Sequence, residues 1–260
     1  MPEILEVEAA RRVIEARALG RKVVEVVAPD AWYLKRGLVA PELEAVLPGR
    51  AFTAARRRGK LLLVDTTKRG PVLGLHLGMS GRVVVDGEAA GDPLIYASNR
   101  DVEAWHRFGV RFADGGALWL RDPRRLGAVE LDPDEERLGP DAFDLTRQEL
   151  VGLTTRSRAP IKALLMDQSR IAGLGNLLTD EALWRAGVDP ARPALALNAE
   201  EVGTLYRSIR QTLRTLGRRG GSHMGDMPRA IDAPCPRDGT PLVRRTVGGR
   251  TTFSCPLHQR

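Results

Sequence analysis

Between residues 3 and 19 the apolar positions Ile4, Val7, Val13, Ile14 and Leu19 fall among charged ones at helical spacing, and Gly20 follows as a stop. The pattern predicts an amphipathic N-terminal helix. From Lys22 to about Leu131 the texture changes to short β-type runs, Val23–Val27, Leu61–Val64, Val72–His76, Val83–Val85, Val110–Phe112 and Ala117–Leu120, divided by Gly, Asp and Pro turns. Regularly spaced short strands predict a β-sandwich or barrel-like unit. The acidic, proline-containing stretch Asp132–Asp144 reads as a linker. Helical patterns return around Arg147–Thr154, Ile161–Asp167, Leu177–Ala186 and Glu200–Leu216. The tail from about Gly220 is rich in Gly and Pro, with a hairpin signal at Val247-Gly248-Gly249-Arg250.

Composition narrows the partner. The chain has 260 residues, 43% of them hydrophobic, enough for one large core or two smaller ones. Its net charge of +7 points to a polyanion, with nucleic acid the leading candidate. No long apolar run suggests a membrane span, and acids at positions 3, 6 and 8 are incompatible with a signal peptide. The expectation is a cytoplasmic, nucleoid-associated protein. Both cysteines, Cys235 and Cys255, lie near the C-terminus, which argues for a local metal site over a disulfide framework.

Several short segments carry candidate chemistry. Removal of Met1 would leave Pro2 as a terminal secondary amine with Glu3 beside it. A terminal amine titrates near ~7.7–8.0, so a useful fraction is nucleophilic at neutral pH. Attack on a sugar C1′ would give an iminium, an electron sink for which Glu3 can move protons. Met-Pro-Glu is equally an ordinary helix start. Arg56-Arg57-Arg58-Gly59-Lys60 stands at the mouth of the strand Leu61–Val64, where it suits phosphates, although a solvated charge run reads the same way. In Leu75-His76-Leu77-Gly78-Met79-Ser80-Gly81, two glycines flank an apolar Met able to wedge between bases or simply to join a core. Asp122-Pro123-Arg124-Arg125-Leu126-Gly127 is a second turn with an Arg and an apolar tip. Ile171-Ala172-Gly173-Leu174-Gly175-Asn176, between two helical patterns, would let backbone N–H groups approach a phosphate. His106, beside Trp105 and Arg107, is either a phosphate contact or an ordinary strand-end histidine.

These segments, in this order, resemble the formamidopyrimidine-DNA glycosylase and endonuclease VIII family of base-excision repair enzymes, and the resemblance covers essentially the whole chain. Its carriers are Pro2-Glu3 with Glu6-Val7-Glu8, Arg57–Leu63, His76–Gly81, Asp122–Gly127, Gly173–Asn176 and Gly249–Cys255. The resemblance implies an α+β protein: an N-terminal helix with a two-sheet β-sandwich (1–132), a linker (133–146), a helix-two-turn-helix domain (147–228) and a zinc-ribbon-like β-hairpin (229–260). It implies that Pro2 is the Schiff-base nucleophile and Glu3 the proton donor for base release. Lys60 would meet phosphate and assist β-elimination, and Arg250 would assist δ-elimination. Met79, Arg124 and Leu126 would fill the gap left by the everted nucleotide, while Lys162, Asn176 and Arg250 grip the kinked backbone. The expected partner is damaged double-stranded DNA, bound by a monomer.

The departures from the family pattern matter too. Leu5 stands where a second proline is frequent, and Leu126 where an aromatic wedge is frequent. The stretch from Ser222 to Cys235 is shorter than the segment with which purine-specific members cover the everted base. That keeps open a preference for oxidised pyrimidines, abasic sites or cross-linked bases. The family's four cysteines become Cys235-x-x-Asp238 and Cys255-x-x-His258. Two thiolates, a carboxylate and an imidazole can hold one structural zinc; the alternative is a metal-free hairpin packed around Val243, Val247 and Phe253. In a different class, a non-catalytic protein recognising damaged DNA would share the basic patches and the wedge but would not need Pro2-Glu3.

Overall fold

The computed structural model describes residues 2–89, 98–100 and 102–260; Met1, whose removal the Pro2 chemistry requires, lies outside them. Two compact units result. The first comprises residue 2 and residues 6–135, the second residues 3–5 and 136–260.

In the first unit, helix α1 (Ile4–Arg17) is followed by β1 (Val23–Val27), α2 (Ala40–Val46), β2 (Phe52–Arg58), β3 (Leu61–Thr66), β4 (Leu73–His76), β5 (Arg82–Val85), β6 (Glu88–Ala89), β7 (His106–Phe112), β8 (Ala117–Arg121) and β9 (Ala128–Leu131). The strands make two antiparallel sheets, in the orders β1-β7-β8-β5-β6 and β2-β3-β4-β9. Val23, Val83, Val85, Phe108, Val110 and Leu120 of one sheet and Phe52, Leu62, Val64, Leu73 and Leu75 of the other are buried in a single cluster, joined by Val7, Ala10 and Ile14 of α1. Phe52 meets Phe112 edge to face at 5.8 Å between centroids. Each such side chain contributes roughly 1.5–3 kcal/mol of hydrophobic stabilisation. That is the sandwich expected from the regularly spaced strands, with α2, β2, β6 and β9 added to the elements the pattern revealed.

The second unit holds α3 (Arg147–Thr154), α4 (Ile161–Met166), α5 (Asn176–Ala186), α6 (Ala199–Arg219) and the hairpin β10 (Val243–Val247) and β11 (Arg250–Ser254). Reciprocal side-chain caps start α3 and α6: Thr146 with Glu149, and Asn198 with Glu201. Ile4 and Leu5 from the first turn of α1 join Leu164, Leu178, Leu183, Ile209, Leu213 and Leu216 in this unit's core. Gly248 and Gly249, at φ 57° and 72°, form the two-residue turn of the hairpin. Positive φ at both central positions matches the twist of the strands, and glycine adopts it without steric cost. A small third cluster, Trp184, Met227, Cys235, Leu242, Phe253 and Cys255, anchors the tail to α5.

Candidate active site and nucleic-acid interface

Glu3 is fully buried and its carboxylate sits on the N-terminus of α5. The N–H of Leu177 donates to Oε1 at 2.7 Å, and those of Gly175 and Leu178 donate to Oε2 at 2.8 and 3.2 Å. These are among the orphan donors of a helix start, and the positive end of the helix dipole favours an anion there. A Cβ on Gly175 would lie 2.3 Å from the Glu3 carboxyl carbon, so only glycine fits. The Gly173-Leu174-Gly175 turn therefore works differently from the phosphate cradle expected of it. Its anion is the chain's own Glu3, and the N–H groups of Gly173 and Gly175 are already engaged, by Gln168 and Glu3. Pro2, buried, is fixed one residue away.

One backbone carbonyl next to Arg250 gathers three side chains. Thr251 O accepts from Lys162 Nζ at 3.1 Å, Asn176 Nδ2 at 3.0 Å and Arg229 Nη2 at 3.4 Å. Lys162 departs from the expectation of a direct phosphate grip, because it is fully buried. Its ammonium also donates to Thr252 Oγ1 and forms an ion pair with Asp180 Oδ1, both at 2.7 Å. Burial pulls its pKa below the usual lysine range, against the pull of the Asp180 carboxylate. Asp180 also pairs with Arg229. Arg250 itself is exposed at the start of β11. The ammonium of Lys162 thus supports the strand that displays Arg250.

The turns at 236–238 and 256–258, on either side of the β10–β11 hairpin, bring Cys235, Asp238, Cys255 and His258 together, with one ligand atom of each within 4.8 Å of every other. Cys235 Sγ lies 3.6 Å from His258 Nδ1, and Cys255 Sγ lies 3.4 Å from Asp238 Oδ2. Donors around a tetrahedral ion with bonds of about 2.0–2.3 Å stand about 3.5 Å apart, so these spacings suit a metal ion. The surroundings suit it as well. His258 Nε2 faces the Trp184 carbonyl at 3.2 Å, while Nδ1 faces Asp238 Oδ2 at 2.8 Å and Cys235 Sγ, so Nδ1 is the ring nitrogen turned towards the other donors. The Trp184 indole N–H donates to Cys235 Sγ at 3.4 Å. The N–H of Thr240 and the neighbouring His258 hold the Asp238 carboxyl well below its usual range, while burial pushes the Cys255 thiol up.

In the first unit, Asp122 organises the two apolar-tipped turns. Fully buried, it accepts at Oδ1 from Ser80 Oγ and from Arg124 N at 3.1 Å. At Oδ2 it accepts from Leu126 N and Gly127 N, both at 2.8 Å, and from Tyr33 Oη at 3.2 Å. Burial and this carboxylate keep the Tyr33 phenol protonated, as a donor must be. Gly78 packs so tightly that a Cβ would lie 2.3 Å from the Leu126 carbonyl carbon. Arg125 takes the left-handed φ of 55°, held by two 2.7 Å bonds to Asp30. The scaffold leaves Met79, Arg124 and Leu126 at the surface. Sequence reasoning identified these tips but missed the carboxylate beneath them; its one signal was an Asp opening a turn.

The basic run is more self-contained than its charge suggests. Arg56 makes paired bonds to Asp65 and Glu135, and Arg57 reaches Glu8 at 3.3 Å, so two of the expected phosphate ligands face carboxylates. Lys60 is half-buried in the turn between β2 and β3. His76 is exposed, and its Nδ1 accepts from Gly78 N at 3.1 Å, which stiffens the loop. His106 begins β7 and stacks on Trp119 with centroids 4.9 Å apart. Among the described residues, no helix is long and apolar enough to cross a membrane.

Known proteins share this architecture along the full chain. Residues 1–129 match the model of the formamidopyrimidine-DNA glycosylase N-terminal domain, and residues 138–226 match the H2TH domain of the same enzymes. Formamidopyrimidine-DNA glycosylase of Paracoccus denitrificans is 38% identical, with all of both chains covered. That of Chloroflexus aggregans is 34% identical, with all of this chain and 98% of the relative covered. A structure of MutM in complex with DNA containing carbocyclic 8-oxo-G superposes with a TM-score of 0.86 at 26% identity, over the whole of both chains. The Lactococcus lactis enzyme bound non-covalently to DNA with an AP site gives 0.84 at 27%, again over both whole chains. By descent and by fold, the chain belongs to the formamidopyrimidine-DNA glycosylase family.

Proposed function

We propose that this protein is a base-excision repair DNA glycosylase that also cleaves the resulting abasic site, using Pro2 as its nucleophile. The observation that carries the reading is the seat of Glu3. Three backbone N–H groups at the start of α5 hold this carboxylate, and the only residue it can position through a single peptide link on its N-terminal side is Pro2. The Pro2 nitrogen attacks C1′ of the everted nucleotide and Glu3 moves the proton that lets the base depart. The resulting iminium acidifies the C2′ proton, so the 3′ phosphate is lost by β-elimination. Lys60 and Arg250 serve the elimination steps at the phosphates. Met79, Arg124 and Leu126 occupy the space of the flipped base, whose extrusion costs a few kcal/mol and least for a damaged base. Asn176 and the strand propped by Lys162 steady the DNA backbone.

A second reading of the substrate rests on residues 221–227. Glu181, almost fully buried, accepts from the N–H groups of Asp226 at 3.2 Å and Met227 at 3.1 Å, and Arg185 and Arg219 both pair with Asp226. A segment this short and this firmly tied supports an open base pocket, suited to oxidised pyrimidines, abasic sites or cross-linked bases. Borohydride trapping across duplexes carrying an oxidised purine, an oxidised pyrimidine and an abasic site tests both readings. Covalent complex on the abasic duplex is expected in every case. The faster of the two base lesions decides the substrate, and no trapping at all would leave a non-catalytic damage-binding protein.

The C-terminal donors are read as a structural zinc site, with Cys235, Asp238, Cys255 and His258 as its ligands. So small a tail has little apolar surface of its own, and a bound ion would fix the hairpin that carries Arg250. Elemental analysis should find about one zinc per chain. His258→Ala should release it and weaken DNA binding, with the β-sandwich still folded. A metal-free protein with full activity would assign the hairpin to packing alone.

A further inference from the structure

Among the described residues, Trp32 is the most exposed large apolar side chain, at 68% of its full accessibility. It stands on a short 3-10 turn, Ala31–Tyr33, within a segment tied at two points to the loop 122–127 and at two more to the adjoining strand β9. Tyr33 Oη donates to Asp122 at 3.2 Å, Asp30 holds Arg125 through two bonds of 2.7 Å, Leu34 bridges Val129, and Lys35 N donates to Val129 O at 3.0 Å. The Asp122 carboxylate therefore binds three segments at once, residues 30–35, 76–81 and 122–127. Each offers one large exposed apolar side chain: Trp32, Met79 and Leu126. Three such side chains on segments joined by one buried carboxylate make a candidate contact surface.

The charge around Trp32 selects the partner. Arg124 and Arg125 are exposed beside Leu126, and Lys35 lays its ammonium over the indole at 4.4 Å from the ring centroid while bonding Trp32 O at 2.5 Å. An aromatic face capped by a lysine, in a segment tied to the loop that carries the exposed Arg124 and Arg125, fits a polyanion that also offers flat apolar faces. We infer that Trp32 is a third apolar contact to duplex DNA, stacking on a base or sugar near the lesion, beside the gap-filling tips Met79 and Leu126. The inference rests on the DNA-repair reading above and adds a residue to its interface.

The test compares Trp32→Ala, Trp32→Phe and, as a control, Val24→Ala, which removes another exposed apolar group, on β1. Affinity is measured on a duplex carrying a non-cleavable abasic analogue. Trp32→Ala should lose roughly 5- to 150-fold, the range of one base–aromatic stack. Trp32→Phe should recover most of it, and Val24→Ala should match the wild type. The salt dependence of Trp32→Ala should be unchanged, because no phosphate contact is lost. Wild-type affinity in Trp32→Ala overturns the inference. So does a wild-type dimer in sedimentation that Trp32→Ala dissolves, since the patch would then be a contact between copies. If the wild type shows no preference for the abasic duplex, the repair reading fails as well, a result independent of any Trp32 variant.

Discussion

Fusing a bulky extension to the N-terminus is expected to abolish covalent trapping on abasic DNA, by on the order of 10³-fold or more, while undamaged duplex still binds. The extension converts the Pro2 nitrogen to an amide, whose lone pair is delocalised and cannot attack C1′. A lysine would need its pKa brought down by more than two units to replace it. Equal trapping by blocked and free protein would remove Pro2 from the reaction. Glu3→Gln complements this test. It should slow base excision by roughly 10²–10⁴ and the cleavage of a ready-made abasic site much less, since only the first needs help for a leaving group. The substitution also has a structural side. With N–H donors on both carboxylate oxygens, a Gln amide must turn its NH₂ towards at least one of them. Retained abasic-site cleavage therefore serves as the check that the seat on α5 survives.

The second large effect is on stability. Lys162→Met should destabilise the second unit by about 3 kcal/mol, the low end for breaking a buried ion pair, because Arg229 still faces the Asp180 left behind. Denaturant unfolding measures it directly. DNA binding separates the two ways in which Lys162 can matter. Acting through Thr251 and Thr252, it should leave the log–log salt slope unchanged when replaced, whereas Arg250→Ala should lower the slope by roughly 0.9. A slope that falls for Lys162→Met would restore Lys162 to the phosphates.

Most elements were legible because their burial follows local pattern. Ala117–Arg121 and Arg147–Thr154 alternate or repeat as a half-buried strand or helix must. β2 escaped because Arg56, Arg57 and Arg58 occupy its second half, and what makes a strand of them lies elsewhere: Asp65 across the ladder, Glu8 on α1 and Glu135. The same holds at the site. The Gly173-Leu174-Gly175 turn announced an anion, but nothing local says that the anion is a carboxylate 172 residues away. Lys162 stood out as a rare lysine, yet its burial depends on Asp180 and on a strand near the end of the chain. A sequence displays the residue types that chemistry needs; distant partners decide which of them stay available to a ligand.

The Asp122 hub has a bearing on how such an enzyme can change over generations. Four of its five bonds are accepted from backbone N–H groups or from Tyr33, and the fifth from Ser80; none involves the side chain of Met79, Arg124 or Leu126. The path of the loops is thus independent of what the tips carry. An aliphatic tip can give way to an aromatic one, or a thioether to a branched chain, without refolding the support. Selection, or a designer, can retune the probing surface one side chain at a time while the geometry that aims it is inherited intact.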